Sequence, residues 1–203
     1  MLFQLGIFQI VVFVSFFILE RLFPYRKFKQ SRFWTFWWGT LGVFALFWLR
    51  FLLYLWTEIP SPGLIPLDFS SQITEGFVFY LFYSLGNYWF HRIKHSNQIL
   101  WKYLHRLHHS PLKMETRVAF FRHPFEILIN TIYLVIIGKY IFSVSFEVVA
   151  VALTIEGCLE SFHHANIKIH KKLNFLGYII QLPDMHLVHH EKGLHRYNYG
   201  PFL

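Results

Sequence analysis

The stretch LFQLGIFQIVVFVSFFIL, residues 2–19, runs for 18 residues without a charge. Coiled as an α-helix it is about 27 Å long, close to the ~30 Å hydrocarbon core of a bilayer. RLFPYRKFKQSR follows at 21–32, with five Lys or Arg and no acid. A cleaved leader would carry a basic segment before the apolar run and a small-residue cleavage site after it. Neither is present, so the segment reads as a retained membrane span.

Four more apolar runs lie downstream. Phe33–Trp56 is interrupted by Arg50, and Phe77–Phe90 continues into HRIKH. Phe125–Phe142 and Val144–Phe162 read as a hairpin turning between Lys139 and Ser145. The 57–76 loop, TEIPSPGLIPLDFSSQITEG, is rich in Pro, Gly and Ser and net acidic. Basic loops stay in the cytoplasm. The 21–32 loop is therefore placed inside and the 57–76 loop outside, which returns residues 91–123 and 163–203 to the cytoplasm. All 13 histidines then fall on that side. The expected fold is all-α: a multi-pass integral membrane protein of four to five transmembrane helices with a cytoplasmic, histidine-rich helical cap. Residues 1–76 supply the N-terminal spans and loops, and 77–203 the catalytic domain.

Composition agrees. Hydrophobic residues make up 55% of the 203 and charged residues only 15%, with 25 Phe, 11 Tyr and 7 Trp. Soluble domains carry about 25% charged residues, so too little polar surface remains to cover a water-soluble core. The formal charge of +8 sits beside apolar runs, which fits juxtamembrane anchoring and excludes a nucleic-acid binder. The single Cys158 excludes an intrachain disulfide.

The histidines form clusters with ligand spacing. HRIKH sets His91 and His95 four apart; HRLHH sets His105, His108 and His109 at i, i+3 and i+4; HLVHH repeats this with His186, His189 and His190. Residues three and four apart share a helix face, so such imidazoles can reach one metal ion or each serve one of a close pair. Imidazole suits Fe, Zn, Cu and Ni alike, so it does not name the metal. A straight helix from His91 to His109 would be about 27 Å long, too long for one site. The chain must bend, and Ser96 or Asn97, both good N-caps, is the expected place. His123 precedes Pro124, read as the first residue of the fourth span with Glu126 in its first turn. His163 and His164 end the fifth span, and one of the two is expected to point inward.

Other residues read more plainly. His170 and His195 match no ligand spacing and are expected to be non-ligands. Ser84, Gly86 and Asn87 permit close helix packing, and Lys139 caps the hairpin turn. Glu115, Glu160, Asp184 and Glu191 are candidates for orienting imidazoles from behind, with none singled out. GxSxG, P-loop and GxGxxG motifs are absent. A metal carrier would place ionisable residues along its spans, whereas these hold Arg50 and a few isolated charges.

The series YWFHRIKH, LWKYLHRLHHS, FRHPFE, FHHANI, LPDMHLVHH and NYG, from Asn87 to Gly200, resembles the fatty acid hydroxylase/sterol desaturase superfamily. HxxHH motifs alone also fit acyl desaturases and alkane hydroxylases; the RHP-x-E element, the His-x-Asn-Ile stretch and NYG favour this family. The resemblance implies two iron ions, with zinc an alternative in isolated protein, and O2 as co-substrate. It implies hydroxylation or desaturation of a membrane lipid, fed by a separate electron donor of the small haem protein or ferredoxin type. The ligands it implies are His91, His95, His105, His108, His109, His123, His164, His186, His189 and His190, with His164 preferred to His163. The other functional class considered is a non-catalytic metal-binding relative. The family usually continues past NYG into a stretch resembling WDRLFGT, so the chain is expected to be truncated there, and the position of His170 is more often proline.

Overall fold

Asn97 divides a long helix from the histidine-bearing turn that follows it. In the computed structural model, which describes residues 1–28 and 32–202, α3 (Gln72–Ser96) ends there and α4 (Gln98–Leu100) begins. The Asn97 Oδ1 accepts the backbone N–H groups of Ile99 and Leu100 at 2.9 and 3.1 Å. The expected break is thus made by an ordinary N-cap. The remaining helices are α1 (Leu2–Leu22), α2 (Arg32–Glu58), α5 (Pro124–Val135), α6 (Phe146–His164) and α7 (Pro183–His189). Wider π-type turns prolong α4 over Trp101–His105 and α5 over Ile136–Ile141, and 3₁₀ turns cover Thr116–Phe120 and Lys171–Tyr178. Among the described residues the sole extended pairing is the antiparallel bridge Ile180–Phe202. The chain is all-helical, as expected.

Among the described residues two helices meet length and apolarity alone as membrane spans, α1 and the continuous Pro124–Ile141. The expected four to five spans therefore exceed what these criteria give. α6 carries three carboxylates, Glu147, Glu156 and Glu160, and α3 ends in HRIKHS; of these charges Lys94, Glu156 and Glu160 pair inside the protein. Lys94 meets Glu126, Tyr80 donates to Glu156 at 2.6 Å, and Glu160 meets Arg122. Charges satisfied within a bundle do not face lipid.

α6 is the central element, packed by α1, α3, α7 and the Thr116–Phe120 turn, while α2 lies on α5. Phe79, Tyr80 and Tyr83 of α3 interlock with Val148, Val149 and Ala152 of α6, and Leu134 and Val135 of α5 complete the core. At the end away from the histidines, the Trp56 indole N–H donates to the Val144 carbonyl at 3.2 Å. Beside it the 59–71 loop is pinned across the α5–α6 turn by Leu64 N–H to Tyr140 O and Ile65 N–H to Ile141 O. The antiparallel arrangement puts the C-terminal ends of α1, α3 and α6 and the N-terminal end of α5 together, and the histidines gather at that end.

Within lipid the association of helices depends on close backbone approach rather than on removing apolar surface from water. Gly76 provides it for α3 and α6: a Cβ there would lie 2.5 Å from the Val151 Cβ and 3.0 Å from the Val148 carbonyl oxygen. Gly76→Leu should therefore lower the stability of the detergent-purified protein by about 1–3 kcal/mol, the usual cost of overpacking. Gly6→Leu, where nothing lies within 4 Å, should be neutral. Equal thermal unfolding of the two variants would contradict the packing described.

Candidate metal centre

Four segments bring histidines to one place. His91 and His95 end α3; His105 closes the π-type turn, with His108 and His109 just beyond; His164 ends α6; His186, His189 and His190 lie on α7 and its C-cap. They form two groups. His91, His95, His105, His109 and His189 make the first, and His108, His164, His186 and His190 the second, with candidate ligand atoms within 4.8 Å of one another in each. The two HxxHH motifs brace the groups crosswise. His105 and His109 belong to the first and His108 to the second, whereas His186 and His190 belong to the second and His189 to the first.

The ring orientations follow from hydrogen bonds made on the outer side. The Nδ1–H groups of His91, His108 and His189 donate to the carbonyls of Tyr199, Phe121 and Tyr197 at 2.7, 3.1 and 2.9 Å. His164 Nδ1–H donates to the Glu160 carbonyl at 2.9 Å, and His105 Nδ1–H to the Glu126 carboxylate at 2.8 Å. A backbone carbonyl can only accept, so Nδ1 carries the proton and Nε2 the lone pair. Burial also keeps these rings neutral. It pushes His105 down to about 4 and His189 to about 3, and holds His108, His186 and His190 well below the ordinary imidazole value. The Glu126 carboxylate, pulling the other way, limits the fall at His105.

The inward Nε2 atoms face one another closely. His91 Nε2 lies 2.8 Å from that of His105 and 3.1 Å from those of His95 and His189. In the second group His164 Nε2 lies 3.3 Å from His108 and 3.0 Å from His186. Lone pairs at such spacing repel unless they share a cation. With metal–nitrogen bonds of ~2.1 Å, ligands at right angles sit about 3.0 Å apart and tetrahedral ones about 3.4 Å. The residues present therefore fit a metal in each group, with a crowded nitrogen shell.

A buried cation–carboxylate pair backs each group. Glu126, fully buried, accepts from the Lys94 Nζ at 2.5 Å as well as from His105. Arg122 meets Glu160 at 2.7 Å, and Glu160 also lies 3.5 Å from His164 Nδ1 and 3.6 Å from His163 Nε2. Glu160 was among the four acidic candidates for this role. Glu115 instead meets Lys113 and Arg117, Asp184 Oδ1 accepts the Met185 N–H at the start of α7, and Glu191 is exposed. Glu126 was read only as a helix-start residue; its place in FRHPFE was the signal that it sits beside the cluster.

The tenth candidate, His123, joins neither group. It is the N-cap of α5, its Nδ1 accepting the Phe125 N–H at 3.2 Å and its ring stacked on Phe125. The proline that places it at the helix mouth also turns its ring back onto the helix. His170 behaves alike at the start of a 3₁₀ turn, accepting from Lys172 N–H. Both residues of the His163–His164 pair are buried, rather than one, and the His163 ring lies 4.3 Å from that of His186. His195 stands beside the first group, its ring 4.9 Å from His109 and 4.8 Å from Trp101.

A polar cavity of about 30 Å³ lies among the histidines, bordered also by Asn87, Asn130, Glu156 and Gln181. A much larger, mainly apolar groove of about 830 Å³ runs along α3, past Leu81, Leu85 and Tyr88 and under Phe202. Tyr199, Gly200 and Pro201 border both, so one short stretch of backbone separates groove from histidines.

These features define a histidine-rich metal-site protein with apolar, membrane-compatible helices. Residues 76–203 match the fatty acid hydroxylase family, and the chain belongs to that family. Its members are membrane-associated and use iron. No curated protein and no solved structure matches the chain.

Outer partners of ligating imidazoles typically contribute 10–100-fold to metal affinity. Glu126→Ala removes the acceptor of His105 and strands Lys94, and should speed loss of bound metal to a chelator by about that factor. Unchanged metal retention would contradict the orienting role of Glu126.

Proposed function

We propose that this protein is an O2-dependent hydroxylase or desaturase of a membrane lipid, acting at two iron ions. His91, His95, His105, His109 and His189 hold one ion, and His108, His164, His186 and His190 the other. The observation that carries this reading is the convergence of nine imidazoles, with facing Nε2 atoms at 2.8–3.3 Å and five of the rings holding the Nδ1 proton outward. Membership of the family supports the reaction class.

When bound, iron supplies the redox chemistry that activates dioxygen and breaks a C–H bond. The chain's own part is positional. Its carbonyls and the Glu126 carboxylate hold the proton on Nδ1 in His91, His105, His108, His164 and His189, so the ligand nitrogens of these five are oriented before metal arrives. The apolar groove binds the lipid tail along α3 and excludes water from it, and Tyr199–Pro201 set its distance from the histidines. Leu81 and Leu85 are partly exposed on the outer surface of α3, so a tail can enter sideways from the bilayer.

Hydroxylation places one oxygen atom of O2 in the lipid and the other in water, and needs two electrons and two protons from outside. We assign the electrons to a separate donor, a small haem protein or a ferredoxin. In this reading the helices cross the membrane several times, with the histidine end in the cytoplasm, where such a donor is met.

The test is turnover of lipid extracts under ¹⁸O2 with reductant and donor. A hydroxylase product carries the label; a desaturase product lacks two hydrogens and leaves the label in water. His108→Ala and His189→Ala should each abolish product, one from each group, while His123→Ala should retain it. Full activity in either of the first two variants would sink the proposal. Metal binding without turnover of any lipid would favour the non-catalytic reading.

A further inference from the structure

Glu20 lies at the end of α1, far in sequence from every histidine and outside the segment that matches the family. It is nonetheless almost fully buried, at 5% exposure. Its Oε2 accepts three hydrogen bonds: from Thr116 N–H at 2.8 Å, from Thr116 Oγ1 at 2.9 Å and from Asn166 N–H at 3.2 Å. One carboxylate oxygen thus joins two segments of the chain.

Those segments both lead to the second histidine group. Thr116 opens the 3₁₀ turn that ends at Phe121, whose carbonyl accepts the His108 Nδ1–H at 3.1 Å. Asn166 stands two residues after His164. It also clamps the chain leaving α1: Asn166 Oδ1 accepts from Arg26 N–H at 3.0 Å, and Asn166 Nδ2 donates to Arg26 O at 2.7 Å. Aromatic contacts repeat the link, Phe13 on Phe120 and Phe16 on Phe162, with ring centres 5.6 and 5.5 Å apart. The first group is tethered elsewhere, by Glu126, Tyr199 and Tyr197.

We propose that Glu20 is a positioning residue for the second group alone: it locks the Thr116–Phe121 turn to the Ala165–Asn166 corner and so sets His108 against His164. The first span is thereby part of the metal centre's scaffold as well as an anchor. The inference rests on the reading above that both groups take a metal.

The experiment uses the full chain in detergent, loaded with Fe(II) or Zn(II) alone, dialysed against a chelator and counted for metal. Glu20→Ala is combined with the double variant His91→Ala/His95→Ala, which leaves three histidines in the first group, and with His186→Ala, which leaves three in the second. In the His91→Ala/His95→Ala background, Glu20→Ala should strip the remaining ion at least tenfold faster. In the His186→Ala background it should leave the remaining ion in place, and that retained ion reports an intact fold. Thr116→Val, which deletes one of the three bonds, should give the same asymmetry more weakly and serves if Glu20→Ala does not fold. Equal loss in both backgrounds, or loss in neither, would overturn the inference. A parent chain that binds no metal would overturn both this inference and the reading beneath it.

Discussion

The hydrogen bond from an imidazole Nδ1–H to a fixed outer acceptor is the interaction on which the site depends. Five rings make it, four to backbone carbonyls and one to Glu126. Each bond fixes a ring plane and a tautomer together, leaving Nε2 as a lone pair aimed inward. Without these acceptors, nine neighbouring imidazoles would rotate to hydrogen-bond one another and lose their common focus. The carbonyls are available because Phe121, Tyr197 and Tyr199 lie in irregular backbone, where no helical N–H claims them. The irregular 106–123 and 190–202 segments are therefore part of the site's construction.

Pairing of buried charge is the second constraint. Lys94–Glu126 and Arg122–Glu160 place two cations and two carboxylates behind a set of neutral rings. Breaking such a pair strands a charge at a cost of about 3–5 kcal/mol, so these residues tie the folding of the helical end to the shape of the metal centre. At the other end the bundle is closed by Gly76 and by the Trp56 indole, over whose ring the buried Lys139 ammonium lies at 5.6 Å.

What the sequence made legible was local. The uncharged 2–19 run, the Asn97 cap and the α5–α6 turn depend on residues within a few positions of one another, and the helices form where expected. Histidine spacing pointed to a shared neighbourhood, and nine of the ten histidines it named lie together there. The division between groups was not legible, because i, i+3 and i+4 spacing puts three imidazoles on one helix face alike, and only the packing of the four segments sends the middle histidine of each HxxHH motif to the other group. His123 shows the reverse error: spacing and the following proline placed it at the right end of α5, and an N-cap bond turned it away. Glu126 and Glu20 were missed for a different reason. Each acts on histidines 21 or more positions away, and nothing in local pattern records a contact that only the folded chain creates.

On the proposed reading nine convergent imidazoles hold two separate metal ions. The most direct test is to count transition-metal ions per chain by elemental analysis of untagged, detergent-purified protein. Two ions per chain, as iron or as zinc that has displaced it, is the result this account predicts. One ion or none after loading would contradict it.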